Sequence, residues 1–194
     1  MDKSSINSVY RTLAKKIGEP KTELNYHNPF TFLVSVVLSA QATDKSVNNA
    51  TTDLFKVAKT PKDMVVLGER KLKGYIKTIG LYNSKAKNVL SLSKILINDY
   101  KSKVPSEFKD LISLPGVGNK TASVYQNEIL NIPRIAVDTH VFRVSNRIGL
   151  VKTKNPDDTQ EMLESIIPKK WLKSATTCLF YMEDINARRK IRFA

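Results

Sequence analysis

The chain has 194 residues, of which 41% are hydrophobic and 26% are charged, as is ordinary for a folded globular protein. Its 32 Lys and Arg residues against 18 Asp and Glu residues give a net charge of +14, which favours a polyanionic partner such as nucleic acid. One cysteine, Cys178, excludes an internal disulfide and a four-cysteine metal site, and the absence of a long apolar run predicts an intracellular protein without a membrane partner.

Helix signals follow one another along the chain. A capping residue followed by proline predicts a helix start at Asn28-Pro29, at Thr60-Pro61 and at Asn155-Pro156. Thr43 or Asp44 can cap another helix, and Gly80 can end one. Apolar residues recur at helical spacing after these starts, beginning with Phe30, Leu33, Val34, Val37 and Leu38. Because no segment alternates in the way that a strand does, we predict an all-α fold.

The run Leu-Pro-Gly-Val-Gly at residues 114–118 interrupts this helical pattern. Proline lacks an amide hydrogen and glycine adopts unusual backbone conformations, so the run predicts a tight turn between two packed helices. The amides of Gly116 and Gly118, with those that open the next helix, can donate to a phosphate group. A purely structural turn between helices is the alternative interpretation.

Two charged residues after the turn are candidates for chemistry. Lys120 lies near a helix start, where the helix dipole disfavours a positive charge and so favours the neutral, nucleophilic amine. Asp138 lies where an N-cap is expected and could accept a proton or stabilise a developing cation. The alternatives are a solvated surface lysine, an ordinary helix cap and, for the nearby His140, a packed or hydrogen-bonded histidine.

Four segments together resemble a known family. They are residues 38–48 (LSAQATDKSVN), 75–86 (YIKTIGLYNSKA), 114–122 (LPGVGNKTA) and 137–150 (VDTHVFRVSNRIGL). The last two resemble the helix-hairpin-helix and Gly/Pro-Asp signature of DNA repair glycosylases, and the set is most similar to the endonuclease III family. The resemblance covers about residues 5 to 173. It implies two helical lobes with a DNA cleft between them. We expect one lobe to comprise residues 22–132 and the other to comprise residues 1–21 together with residues 133–194.

The resemblance also implies a reaction and a set of site residues. The expected activity is a base-excision-repair DNA glycosylase and apurinic/apyrimidinic lyase that removes oxidised pyrimidines through a lysine Schiff base and β-elimination. Lys120 matches the nucleophile and Asp138 matches the carboxylate that activates it. Gln41 and Leu81 match the residues that fill the hole left by a flipped nucleotide. The remaining expected DNA contacts are Pro115, Gly116, Val117, Gly118, Thr121 and His140.

The expected partner is double-stranded DNA with damaged pyrimidines or abasic sites, bound by a monomer in the cytoplasm near the nucleoid.

Two departures from the family's sequence pattern affect the expected DNA contacts and cofactor. Asn119 replaces a basic residue, which predicts a weaker phosphate contact. The family continues into a His-Gly-Arg segment and four cysteines that hold a 4Fe–4S cluster, whereas this chain has neither, so no cofactor and no metal site are expected.

The tail from Ser174 has an interpretation at the level of codons. Synonymous codons for residues 174–194 can be chosen so that the shifted frame encodes CHHLFILHGRYKCKKKNPVC, which resembles the missing family segment. Met182 followed by Glu183 forces the glycine codon of His-Gly-Arg in that frame. Simple loss of the cluster, as in some members of the family, is the alternative interpretation. We interpret the tail as the product of a frameshift near Lys173 or Ser174. It is then expected to be helical only near residues 177–182, with no role for Cys178.

Two other functions stay open on the sequence alone. The chain could be a helix-hairpin-helix DNA-binding protein whose altered C-terminus impairs or abolishes catalysis. It could also resemble the purine-directed, purely hydrolytic relatives, but these usually lack a lysine at the position of Lys120. Salt-sensitive binding without base release would indicate the binding module.

Overall fold

The computed structural model describes residues 7, 8, 10–12, 15 and 22–189, with the side-chain surroundings of these residues as far as residue 179. These residues form helices joined by turns, with no β-strand among them, so the predicted all-α class is confirmed. The chain divides into two compact units. We call Thr22–Tyr125 the hairpin unit, and Met1–Lys21 with Gln126–Ala194 the terminal unit. The boundary between the two units lies after Tyr125. From the sequence we expected this boundary after residue 132.

The hairpin unit contains the helices on both sides of the Gly-rich turn. They are α1 (Pro29–Ser39), α2 (Asp44–Val57), α3 (Pro61–Ile76), α4 (Tyr82–Asp99), α5 (Phe108–Ser113) and α6 (Asn119–Ile129). The last four residues of α6 belong to the terminal unit. The predicted caps are confirmed: Asn28 caps α1 and Thr60 caps α3, each in a capping box with proline in the first turn. Thr43 caps α2.

Helix α1 forms the centre of the hairpin unit, because every residue from Phe30 to Leu38 is buried. Its two buried hydroxyl groups are satisfied by backbone carbonyls: Thr31 Oγ1 donates to Asn28 O at 2.9 Å, and Ser35 Oγ donates to Asn25 O at 3.2 Å. Each large apolar side chain buried here contributes about 1.5–3 kcal/mol to folding. The helix therefore fixes the positions of the loops at its ends.

Two backbone features of this unit were not predicted from the sequence. Gly68 lies inside α3 with φ 78° and ψ 164°, so the helix is broken there. Helix α4 begins after Leu81, which takes a left-handed conformation at φ 59° and makes no side-chain capping hydrogen bond. The second feature lies at a candidate DNA-binding residue.

The terminal unit contains α7 (Thr139–Arg147), α8 (Pro156–Ile166) and α9 (Lys169–Arg189). Polar contacts hold the extended segment before α7. Arg134 forms an ion pair with Glu164 at 2.9 Å, whose other carboxylate oxygen accepts from Ile135 N at 3.2 Å. Thr176 Oγ1 lies 3.0 Å from Ala136 N and 3.1 Å from Ala136 O. Helices α8 and α9 thus anchor the strand-like segment that leads into Asp138.

The tail prediction was wrong about the extent of the helix. Helix α9 begins at Lys169 and continues past Met182 to Arg189. Ala175, Cys178 and Leu179 are all 0% exposed in the core of the terminal unit. The reason is that Leu172, Ala175 and Leu179 repeat at helical spacing and extend one apolar face. Residues 190–194 of the predicted loose tail lie outside the described residues.

In the part of the chain that the structure describes, no helix is long and apolar enough to cross a bilayer.

Candidate nucleic-acid interface

Two buried apolar side chains fix the turn between α5 and α6 to the core. Leu114 and Val117 are 2% and 5% exposed, and Val117 N donates to Leu114 O at 3.0 Å. Proline at position 115 and a glycine with φ 81° at position 116 match the residue pattern of a type II β-turn. With the anchors buried, the exposed residues of the turn are Gly116 and Gly118, while Pro115 is half-buried. The turn therefore presents backbone rather than side chains.

The two glycines of the turn have different surroundings. A Cβ atom on Gly116 would lie 3.0 Å from Cβ and Nδ2 of Asn88 and 3.2 Å from Cγ1 of Val37, so a side chain there would require these neighbours to shift. A Cβ atom on Gly118 would meet no heavy atom within 4 Å. Internal packing thus explains Gly116 only. At Gly118 the open space leaves room for another molecule to approach the backbone closely.

Lys120 is the second residue of α6 and is exposed. Ala122 and Tyr125, on the opposite face of the helix, are 0% and 1% exposed and anchor α6 in the core. Thr121 is half-buried beside the turn. Burial raises the pKa of the Tyr125 hydroxyl to about 12, so this anchor stays neutral at physiological pH. The amine of Lys120 therefore lies on a rigid first turn, directly after the exposed backbone.

Gln41 and Leu81 occupy two neighbouring loops, after α1 and before α4. Both have left-handed backbones, with φ 54° and 59°, although neither is glycine. Gln41 is exposed, and 60% of Leu81 is exposed. A Cβ atom on Gly80 would lie 3.8 Å from Gln41 O, so the two loops adjoin. An amide and a large apolar side chain are thus presented side by side at the surface, at a backbone cost of about 1–2 kcal/mol each.

Charged groups connect the first of these loops to Lys120. Burial, together with the nearby carboxylate of Glu23, raises the pKa of Asp44 at the start of α2, while the positive charge of Lys120 acts in the opposite direction. Asn48, one turn after Asp44 on the same helix face, holds the segment that contains Glu23. Its side chain donates to Glu23 O and accepts from Asn25 N, both at 2.8 Å. Asp44 therefore lies within electrostatic reach of both Glu23 and Lys120.

Asp138 is in the terminal unit and caps α7, as predicted. Its Oδ1 atom accepts from His140 N at 3.0 Å and from Val141 N at 2.9 Å. Val137 and Val141 on either side are buried, and Asp138 itself is half-buried. His140 is exposed on the first turn of α7. The carboxylate is thus fixed in orientation by its cap hydrogen bonds, which is what a catalytic carboxylate also requires.

The predicted residues divide between the two units. The hairpin unit holds Lys120 and the expected contacts Gln41, Leu81, Pro115, Gly116, Val117, Gly118 and Thr121, while the terminal unit holds Asp138 and His140. Val117 is buried, so only its backbone could meet DNA.

Sequence reasoning treated Asp44 only as a possible cap and assigned no role to Lys85 or Asn88. Asp44 and Lys85 stand inside the segments that carry the family resemblance, which was the signal available for them.

The family's 4Fe–4S cluster does not fit the residues of this chain. Such a cluster is held by four cysteine thiolates. The chain has one cysteine, Cys178, which is 0% exposed among apolar side chains, and burial raises the pKa of its thiol. A buried thiol of this kind packs as a small apolar group. The residues present therefore do not support a cluster-dependent step.

Comparisons with known proteins identify the family to which the chain is similar. The profile described as HhH-GPD superfamily base excision DNA repair protein matches residues 34–169. Endonuclease III of Rickettsia conorii (strain ATCC VR-613 / Malish 7) is 54% identical over 175 residues, which are 90% of this chain and 83% of that relative. Endonuclease III of Escherichia coli (strain K12) is 46% identical over 168 residues, which are 87% of this chain and 80% of the relative.

Two solved structures share the fold at 38% sequence identity. One is a trapped endonuclease III–DNA covalent intermediate with an estranged adenine, and the other is a non-covalent endonuclease III–DNA complex. Each matches with a TM-score of 0.86 and covers 94% of this chain and 86% of the solved chain.

Proposed function

Because the chain belongs to the HhH-GPD superfamily of base excision DNA repair proteins, and within it to the endonuclease III family, we propose that it is a DNA glycosylase and apurinic/apyrimidinic lyase. The observation that carries the proposal is the exposed Lys120 on the first turn of α6, directly after the exposed backbone of the hairpin turn. A binding module without catalysis is not favoured, because the relatives are endonuclease III enzymes throughout the matched region.

Lys120 is the nucleophile of this proposal. Its neutral amine attacks C1′ of the damaged nucleoside, the bond from C1′ to the base breaks, and the base leaves with the electron pair and a proton. The bond from C1′ to the ring oxygen O4′ then breaks and O4′ takes up a proton. The product is a ring-opened iminium ion that joins Lys120 to C1′, formed without loss of water. Removal of a C2′ proton then expels the 3′-phosphate by β-elimination. The covalent step replaces one difficult displacement by two easier steps.

Asp138 accepts the proton from the lysine amine and stabilises the positive charge that develops at C1′. Supporting this role, the carboxylate is oriented by two backbone amides of α7. A general base positioned in this way contributes roughly 10²- to 10⁴-fold to the rate.

DNA recognition is divided among the other candidate residues. The backbone of Gly116 and Gly118, with Pro115, Val117 and Thr121 around it, binds a phosphate next to the lesion, where anions favour amide donors at a helix start. Leu81 separates the stacked bases, and Gln41 hydrogen-bonds the base left without its partner. His140, on the exposed first turn of α7, contacts the backbone of the same strand.

The substrate class and the setting are parts of the same proposal. The substrates are oxidised pyrimidines and abasic sites in duplex DNA, bound by a monomer that works on the nucleoid in the cytoplasm. A net charge of +14 suits this partner, since lysines and arginines displace counterions from phosphates. Size-exclusion chromatography with light scattering tests the monomer, and a panel of duplexes that each contain one modified base tests the substrate class.

Borohydride trapping tests the central step. Reduction of the iminium ion should fix the protein to a duplex that contains one abasic site, and the adduct should migrate as one protein per DNA strand. Lys120→Arg keeps the positive charge but removes the nucleophilic primary amine, so it should give no adduct while still binding the duplex.

The matched control is Lys109→Ala, which removes one exposed lysine charge from α5 on the other side of the turn. It should be trapped as efficiently as the unchanged protein. An adduct of equal yield from Lys120→Arg would remove Lys120 from the reaction. No adduct from the unchanged protein, with binding intact, would favour the binding module instead.

A further inference from the structure

Lys85 is the buried basic residue that the proposed mechanism leaves unused. It is 5% exposed, and its Nζ atom is buried without a hydrogen-bond partner among the described residues. Burial lowers the pKa of its amine. An amine in such a place is costly to the folded protein whether it is charged or neutral, because it loses its hydrogen bonds to water. Stability of the free protein therefore gives no reason for a lysine at this position.

The position of Lys85 connects it to the two adjoining loops. It is the fourth residue of α4, and its backbone N donates to Leu81 O at 3.0 Å. Side chains on a helix lean toward its N-terminus, so the Lys85 side chain extends toward the turn that carries Leu81. The loop with Gln41 adjoins that turn at Gly80. The Lys85 side chain thus extends from α4 toward the backbone that must move if these loops enter a duplex.

Charged groups of the neighbouring elements do not account for the amine. Helix α1 has no charged residue. On α3, Glu69 forms an ion pair with Lys73 at 2.6 Å, and the other lysines that influence its pKa are Lys87 and Lys94 rather than Lys85. The charged groups of α1 and α3 are therefore not its partners, which leaves backbone carbonyl groups nearby as candidate acceptors.

We propose that Lys85 is a positioning residue for DNA-bound loops: when Leu81 and Gln41 enter the duplex, carbonyl groups of their loops turn toward Lys85 and accept hydrogen bonds from its ammonium group. The inference rests on the proposed function, since it assumes that these loops enter DNA. In the free protein the amine has no acceptor among the described residues, and in the complex it gains acceptors. The free energy gained on binding then favours the inserted form of the loops over the withdrawn form.

A purely structural lysine makes different predictions. If the four-carbon stem only filled space, then Lys85→Met, which keeps an unbranched apolar chain, would leave DNA binding unchanged. Under our proposal the same substitution raises the denaturant concentration at the unfolding midpoint, because the unsatisfied amine is gone, yet weakens binding to lesion-containing DNA about tenfold. A gain in stability with a loss of function separates the two explanations.

The test measures binding of Lys85→Met to two duplexes of one sequence, one undamaged and one with a tetrahydrofuran abasic-site analogue that the lyase cannot cleave. The matched control is Lys87→Met, which removes an exposed lysine from the same helix. The preference for the analogue over the undamaged duplex should fall about tenfold for Lys85→Met. Lys87→Met should weaken both duplexes by the same small factor, as expected for one phosphate contact.

A double-mutant cycle with Leu81→Ala shows whether Lys85 acts through the loop. With Leu81 truncated, Lys85→Met should have little further effect on the preference, so the two effects should not add. Equal preference of Lys85→Met and the unchanged protein, or full additivity with Leu81→Ala, would overturn the inference. If the unchanged protein shows no preference for the analogue, the proposed function fails first and this inference fails with it.

Discussion

Three exposed positions of the hairpin unit have left-handed backbones: Gly116 in the hairpin turn, with φ 81°, and Leu81 and Gln41 in the two adjoining loops, with φ 59° and 54°. The turn uses a glycine for this conformation, whereas the loops use residues with large side chains. At Gly116 the neighbours Asn88 and Val37 close over the position where a side chain would begin. At Leu81 and Gln41 the side chains project to the surface. The same backbone conformation is thus combined with opposite side-chain requirements.

The difference teaches where this unit tolerates strain. In the turn the proposed ligand of DNA is the backbone itself, so a glycine serves both the conformation and the function. In the loops the proposed ligands are an amide and an apolar wedge, which glycine cannot supply. Each non-glycine residue in a left-handed conformation costs about 1–2 kcal/mol, and such a cost is retained where a side chain must be presented.

Gly116→Ala should cause the largest loss of stability among these positions. A Cβ atom would approach Asn88 and Val37 to 3.0–3.2 Å, and the left-handed backbone would be strained as well. Strain of about 1–2 kcal/mol and overpacking of about 1–3 kcal/mol together predict a loss of roughly 2–5 kcal/mol in the free energy of unfolding. Urea denaturation followed by circular dichroism measures this. A loss below about 1 kcal/mol would mean that Asn88 and Val37 yield easily.

Gly118→Ala, two residues further, should show the reverse behaviour. No heavy atom lies within 4 Å of its Cβ position, so the free energy of unfolding should change by less than about 1 kcal/mol. The methyl group would occupy the space from which a phosphate reaches the backbone amides. Loss of a hydrogen bond to a charged group costs about 1.5 kcal/mol, which predicts roughly tenfold weaker duplex binding.

Fluorescence anisotropy at one fixed salt concentration measures the affinity, with Gly116→Ala examined below its unfolding temperature as the comparison. Unchanged affinity of Gly118→Ala would show that the turn packs the two helices and does not contact DNA.

Leu81→Asn should relieve the backbone strain at position 81 and at the same time remove the apolar side chain that the loop presents. Asparagine tolerates the left-handed region better than leucine does, so the free energy of unfolding should rise by about 0.5–1 kcal/mol. Removal of the exposed apolar side chain should slow base release about tenfold, because the wedge between stacked bases is lost. Leu81→Ala is the control, since it removes the wedge without relieving the strain. Equal stability of the two variants would argue against strain at this position.

The residues whose structure could be predicted are those whose signal is local. Asn28, Thr60 and Asp138 each cap a helix because the capping side chain and the amides it binds are within three residues of each other. The Pro-Gly-Val-Gly turn is local in the same sense. The left-handed backbones of Gln41 and Leu81 have no such local signal.

The burial of Lys85 and the packing around Gly116 depend on contacts between helices that are distant in the chain, so composition and spacing could not reveal them. The extent of α9 was misjudged for a different reason. The tail was interpreted through its departure from the family rather than through its own apolar spacing at Leu172, Ala175 and Leu179. The frameshift near Ser174 stays a prediction that the nucleotide sequence of the gene tests.

Asp44 carries the smallest predicted effect, and it connects the two regions, because it follows the Gln41 loop and interacts electrostatically with Lys120 after the turn. Burial and Glu23 raise its pKa in the folded protein above the ordinary 3.8, despite the opposing charge of Lys120. Above pH 3.8 and up to the raised pKa, the folded state binds more protons at Asp44 than the unfolded chain does. The free energy of unfolding that depends on this group therefore falls as pH rises through that window.

Asp44→Asn removes this dependence, so its advantage over the unchanged protein should be larger at pH 7 than at pH 3. Urea denaturation at both values measures the difference, and Asp53→Asn on the exposed face of the same helix is the control, with its own small ion-pair loss to Lys56. An Asp44→Asn variant that loses stability relative to the unchanged protein as pH rises would show that attraction to Lys120 exceeds burial and repulsion from Glu23. In that case the turn and the loop would stabilise each other through the attraction between Asp44 and Lys120.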